Sequence, residues 1–153
     1  MSPAQQPSTA AARPRGCTNL KLRQLMRRVA QRYDAEVGQV GLKGTQYSLL
    51  SHVVKLGPIR PVDLAASMCV DASTLSRNLK PLIAAGWITQ DAGADARSRL
   101  VQATDAGRDK RAEAQRRWRV AQEGVNAVLG PERVIALHAL IDEAMAALEA
   151  ADA

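Results

Sequence analysis

The sequence predicts a mainly α fold, an α+β winged helix-turn-helix with long dimerisation helices at both ends, and three observations carry that prediction. Apolar residues recur at helical spacing along most of the chain. The apolar content is Ala, Leu and Val with no Phe, which suits helix packing better than an aromatic-rich sheet. The stretch VDASTLSRNLKPLIAAGW, Val70 to Trp87, reads as a helix whose outermost positions carry Ser, Thr and Arg. At 153 residues the chain supports one domain with a real core, or a small domain with a long helical extension.

Residues 1–16, rich in Pro, Gln, Ser and Ala, read as a disordered basic arm. They lack a continuous apolar stretch and are not a secretory signal. A first helix is expected from Thr18 to Val37, within residues 17–40, because Leu22, Leu25, Val29 and Tyr33 share one face and Leu20 and Met26 widen it. The glycines of GQVGLKG break it. A DNA-binding unit is expected over residues 41–104. Its first helix covers Thr45 to Leu56, with Tyr47, Leu50, Val53 and Val54 inward. Pro61 suits the first position of a short helix through Met68 that buries Val62, Leu64, Ala65 and Met68.

The next helix is capped by Asp71, whose carboxylate can accept the N–H of Ser73 or Thr74. Leu75, Leu79, Leu82 and Ile83 form its apolar stripe, and Gly86 suits a left-handed C-terminal stop. Ser73, Arg77 and Lys80 point away from that stripe, with Thr74 and Pro81 on its flank. Pro81 removes a backbone hydrogen bond and is expected to bend the helix or loosen its second half. Trp87 to Gln90 and Arg99 to Ala103 read as two short strands joined by a polar connection, a hairpin too small to stand alone. Residues 105–153 are then expected to form two C-terminal helices. Thr104 caps the first, which runs to about Leu129, and Gly130–Pro131 stops it. Val134, Leu137, Ile141, Met145 and Leu148 recur at near-heptad spacing in the second.

Three short helices followed by a hairpin place a polar-faced fourth helix where a major groove can receive it. Ser73, Thr74 and Ser76 can reach phosphates or bases, and Arg77 can take guanine in bidentate fashion or clamp a phosphate. Net charge is +6, which permits a polyanionic partner without naming one. Arg13 to Arg32 holds seven basic residues and no acid. Arg60 to Arg99 holds five basic residues against four acidic ones, so the arm and first helix are expected to supply part of the phosphate attraction.

No apolar run is long enough to span a membrane, and none is expected as a partner. Two cysteines are too few for a disulfide scaffold, and the simplest location is the cytoplasm. Two lone histidines and two distant cysteines make no metal site. With no nucleophile–base arrangement and no Gly-rich phosphate loop, neither an enzyme nor a cofactor is expected. A non-specific architectural nucleic-acid binder is the alternative; it would hold unrelated duplexes equally well.

LAASMCVDASTLSRNLKPLIAAGWI and DARSRLVQATDAGRD resemble, in this order and spacing, the helix-turn-helix and wing of the MarR family of bacterial transcription regulators, over about Cys17 to Leu148. The resemblance implies a homodimer held by the first and last two helices, on double-stranded DNA with a pseudo-palindromic site. It makes Arg97 the wing residue that contacts DNA, with Asp95 orienting it; Arg99 shares that face or reaches phosphate. Arg60 is either a phosphate clamp or a solvated turn residue. The chain departs from the family pattern in three places. Ala96 replaces the first of two wing arginines, Cys69 stands where many relatives have Gly, and Lys43–Gly44 replaces a Thr or Ser-Pro cap.

Cys17 stands at the start of the first helix, beside Arg15 and Lys21, where the helix dipole favours a thiolate. That placement resembles the reactive cysteine of the family's hydroperoxide-sensing branch; the alternative is a cysteine with no signalling role. Cys69 is expected to be a small buried hydrophobe. Tyr33, Tyr47, His52 and Trp118 are candidates to line a cleft for a small aromatic effector, or are core packing. His138 is expected at the dimer interface or surface.

Overall fold

The computed structural model describes residues 14–91 and 99–153. Its elements in chain order are α1 (Thr18–Val37), a 3-10 turn (Gly38–Val40), α2 (Gly44–Leu56), α3 (Pro61–Ser67), α4 (Ala72–Ala84), β1 (Ile88–Gln90), β2 (Val101–Ala103), α5 (Asp105–Leu129) and α6 (Pro131–Asp152).

Helix starts follow local chemistry. Asp71 caps α4 by accepting the Thr74 N–H at 2.8 Å, and Thr104 caps α5 by accepting the Gly107 N–H at 3.0 Å. Pro61 and Pro131 occupy first turns. At the end of α4 the Gly86 N–H donates to the Ile83 carbonyl and the Trp87 N–H to the Leu82 carbonyl, both at 3.0 Å. Gly86 takes φ +75°, completing a Schellman stop. α4 runs as one helix across Pro81 to Ala84, and Leu82, in its second half, is fully buried, so that half is not loosened. Core packing holds the turn that lost a hydrogen bond.

The core sits in the reader, the unit from α2 to β2. Leu49, Leu50, Val53, Leu64, Leu75, Leu79, Leu82, Ile88 and Val101 are buried against one another. β1 and β2 pair antiparallel with Ile88 opposite Ala103 and Gln90 opposite Val101. Both strands are shorter than the sequence suggests. Ile59 supplies a third edge, exchanging two backbone hydrogen bonds with Val101 at 2.8 and 3.0 Å. That bridge, with α2 and α4 packed on the hairpin, holds two strands that would not persist alone.

Two burial expectations fail. Val62 is 66% exposed, because α3 is only seven residues long and turns its second position outward beside α4. Cys69 is exposed, not buried. It carries the left-handed turn between α3 and α4 at φ +53°, a conformation that points its side chain away from the core.

α1 packs lengthwise on α5, and α5 also packs on α2, linking the reader to the end helices. α6 touches α5 and buries none of its residues in the single chain. Leu20, Leu22 and Met26 on α1 and Ile135, Leu140, Ile141, Met145 and Leu148 on α6 stay exposed.

Candidate nucleic-acid interface and effector cleft

The outer face of α4 is built by its cap. One Asp71 carboxylate takes the Ser73 hydroxyl at 2.6 Å, the Thr74 N–H at 2.8 Å and the Thr74 hydroxyl at 2.7 Å. These donors, the Ser73 hydroxyl first, hold the Asp71 carboxyl well below the usual carboxylate range. Ser73 and Thr74 therefore have their hydroxyl protons spent on the cap. What they offer a partner is lone pairs, a narrower role than the sequence suggested. Arg77 and Lys80 are exposed on the outward face, with Ser76 beside them. Ser76 and Lys80 also line a groove of about 540 Å3 that Arg60, Val62 and Gln90 close on the far side.

Arg60 is not a free cation. Its guanidinium donates to both Asp63 oxygens, at 2.6 and 3.0 Å, one turn along α3. Direct donation to the carboxylate, and its negative charge, raise the Arg60 pKa above the usual guanidinium value. Arg99 is exposed at the near end of β2. Asp95 and Arg97, the wing candidates, lie outside the described residues.

Behind α4 the backbone is braced. The Thr104 hydroxyl donates to the Gly86 carbonyl at 2.7 Å, and the Thr104 N–H donates to the Trp87 carbonyl at 3.1 Å. A Cβ at Gly107 would stand 1.9 Å from the Trp87 oxygen, so only glycine lets α5 approach so closely. Lys110 lies 5.4 Å from the Trp87 ring centroid and pairs with Glu113 at 2.9 Å. The turn that ends α4 is thus fixed to the start of α5.

The four cleft candidates come together. Tyr33, Tyr47, His52 and Trp118 line one opening of about 440 Å3 between α1, α2 and α5. The Trp118 ring stands 6.0 Å from Tyr33 and 6.3 Å from Tyr47, both tilted. Tyr33 donates its hydroxyl to Gln122 Oε1 at 2.6 Å, and burial raises its pKa, so it stays a neutral donor. His52 Nδ1 donates to the Ser48 carbonyl at 2.8 Å, so Nε2 is the ring nitrogen left to face the cleft. The same cleft holds polar residues that the sequence reading passed over, Asp34, Ser48, Ser51 and Arg111 among them. Ser51 Oγ and Arg111 Nε are buried without a hydrogen-bond partner among the described residues. Arg111 precedes Trp118 by seven positions on α5, the spacing that puts two side chains on one helix face and that would have found it.

Cys17 is the exposed N-cap residue of α1, and its side chain makes no capping hydrogen bond. Among the described residues there is no group of three or more potential metal ligands, and no helix is long and apolar enough to cross a membrane.

Residues 40–98 match the sequence model of the MarR family. An uncharacterised HTH-type transcriptional regulator of Bacillus subtilis, YwoH, is 28% identical over 90 residues, covering 59% of this chain and 66% of that protein, just under two thirds of its length. The transcriptional regulator MosR of M. tuberculosis, solved in complex with DNA, is 31% identical, with a TM-score of 0.71 over 86% of this chain and 98% of that one. A MarR variant from E. coli complexed with operator DNA shares the fold, with a TM-score of 0.74 at 19% identity over 82% of this chain and 91% of that one.

Proposed function

The chain belongs to the MarR family, and on that premise we propose that it is a homodimeric, sequence-specific DNA-binding regulator of transcription that acts as a repressor. The observation that carries the reading is the outer face of α4. Arg77 and Lys80 stand exposed on a helix whose inner stripe is buried and whose end is braced against α5. A solvated helix face needs no such bracing; a reader of base edges does, because a bidentate contact tolerates little misplacement. Two copies joined through α1, α5 and α6 would hold their α4 helices about one duplex turn apart, roughly 34 Å, and so select a near-palindromic site. Arg97 and Arg99 extend the contact from the wing. Arg60, held by Asp63, meets phosphate only with its remaining N–H groups.

The effector reading places a small aromatic molecule among Tyr33, Tyr47 and Trp118. His52 Nε2, Ser51 and Arg111 supply the polar contacts. What supports it over plain core packing is the opening itself and the two unpartnered polar atoms on its wall. A second trigger is proposed at Cys17, where a hydroperoxide would pass one oxygen to the thiolate, leaving sulfenic acid and an alcohol.

One set of mobility shifts tests the reading, using DNA from upstream of the protein's own gene at one stated salt concentration. Wild type is expected to prefer one site over unrelated DNA. Arg77→Ala should lose about 1–3 kcal/mol of that preference, the worth of one bidentate base contact. Equal affinity for all duplexes would make the protein a non-specific binder instead. Peroxide should release wild type and not Cys17→Ser; equal release of both removes Cys17 from the mechanism.

A further inference from the structure

The departure at Lys43–Gly44 has a physical counterpart. α2 begins after Lys43, whose side chain has no acceptor and cannot cap the first turn. The Lys43 N–H is satisfied by Gln46 Oε1 at 2.8 Å, which leaves the first N–H groups of the helix without a local partner. One of them finds a partner ten residues back. The Gly44 N–H donates to Asp34 Oδ1 at 2.7 Å, and Asp34 belongs to α1. A Cβ at position 44 would stand 2.9 Å from that oxygen, so the glycine is what lets the carboxylate arrive. The sequence gives up a cap residue and helix propensity at a place where another helix supplies the acceptor.

We infer that Asp34 is a positioning residue, a tie between α1 and α2 that fixes the reader relative to the dimerisation helices. α1 carries the exposed stripe of Leu22 and Met26, and α2 packs on α4. Asp34 and Gly44 both line the mouth of the aromatic cleft. A local cap on α2 would stabilise the same turn but would leave the two helices free to separate at that point. The tie sets their spacing where a ligand enters, so a ligand wedged between α1 and α2 acts on it first. The last step rests on the regulator reading above; the tie itself does not.

The test separates capping from tying in the full-length protein. Asp34→Ala removes both, and Lys43→Ser added to it restores a cap from within α2. Three quantities are read: the thermal midpoint, the operator affinity, and the distance between spin labels at Lys55→Cys across the dimer, with both native cysteines replaced. Asp34→Ala should lower the midpoint, weaken the operator roughly threefold to tenfold, the size of one lost hydrogen bond, and broaden the distance distribution. Lys43→Ser on top of it should recover the midpoint and leave the affinity loss and the broadening. Asp34→Asn, which keeps an acceptor oxygen, should stay near wild type in all three. Full recovery of all three by Lys43→Ser would make Asp34 a cap and nothing more, and an unchanged distance distribution in Asp34→Ala would overturn the tie. A wild type without a preferred DNA site would defeat the regulator reading, while the midpoint and distance measurements would still decide the tie.

Discussion

The reader and the last helix use the same residues to opposite effect. In the reader, Leu75, Leu79 and Leu82 recur at helical spacing and are buried within the chain, along with Leu49, Leu50, Leu64 and Ile88. In α6, Val134, Leu137, Ile141, Met145 and Leu148 recur just as regularly, and none is buried. One stripe closes a core and the other waits for a surface that a single copy lacks. An apolar stripe therefore specifies that something must cover it, and only topology says whether the cover comes from the same chain. Stability and assembly are divided between the two regions, and substitutions should separate them.

The largest effect is expected in the reader. Leu82→Ala removes a fully buried side chain packed among α2, α4 and β1. It should cost about 2–5 kcal/mol, a large share of the stability of a small domain. Chemical denaturation followed by circular dichroism reads this directly. A loss under about 1 kcal/mol would mean that the site collapses around the missing atoms, and the reader's core would be softer than its burial implies.

The counterpart in α6 should leave folding nearly untouched and abolish assembly. Met145 is 49% exposed in the single chain, so Met145→Glu breaks little within it. In a dimer the new carboxylate would be buried without a partner. Sedimentation at micromolar concentration should show a monomer, and operator binding should fall with it, because one α4 cannot span two half-sites. A variant that still sediments as a dimer would remove α6 from the interface and dissolve the contrast drawn here.

Legibility in the sequence divides along a different line, between local and distant partners. As caps and stops, Asp71, Thr104, Pro61 and Gly86 work within four positions of themselves, and in that role each did what its residue type implies. The aromatic cleft was reached through the family resemblance; periodicity set Tyr33 and Tyr47 inward but gave no face for His52 or Trp118. Val62 misled because helical spacing over seven residues defines a face poorly. Cys69 misled because a left-handed turn reverses the direction that its neighbours suggest. The helix face of Arg111 was legible from its spacing to Trp118, but the unmet hydrogen bonds of Arg111 and Ser51 exist only after three helices have come together. The Asp34 contact was out of reach for the same reason. Position 44 looked like a missing cap, and the acceptor sits on another helix.

The smallest effect belongs to the cap that joins the reader's fold to its function. Asp71 holds the start of α4 and orients Ser73 and Thr74 on the same carboxylate. Its native pKa lies below the unfolded value of about 3.9 because those donors favour the charged form. The stabilisation this gives is therefore fully present above the unfolded pKa. It is lost as pH falls from there through the lower native value. Asp71→Asn keeps an acceptor for the Thr74 N–H and loses the charge, so its thermal midpoint should sit slightly below wild type from neutral pH down to about 5. Below about 4 the two curves should draw together, as the unfolded carboxylate takes up a proton that the folded one accepts only at lower pH. Parallel curves down to pH 2 would mean that the charge contributes nothing and that the cap works by geometry alone. In that case the hydroxyls of Ser73 and Thr74 would be free to turn toward DNA, and the variant would bind its operator as well as wild type does.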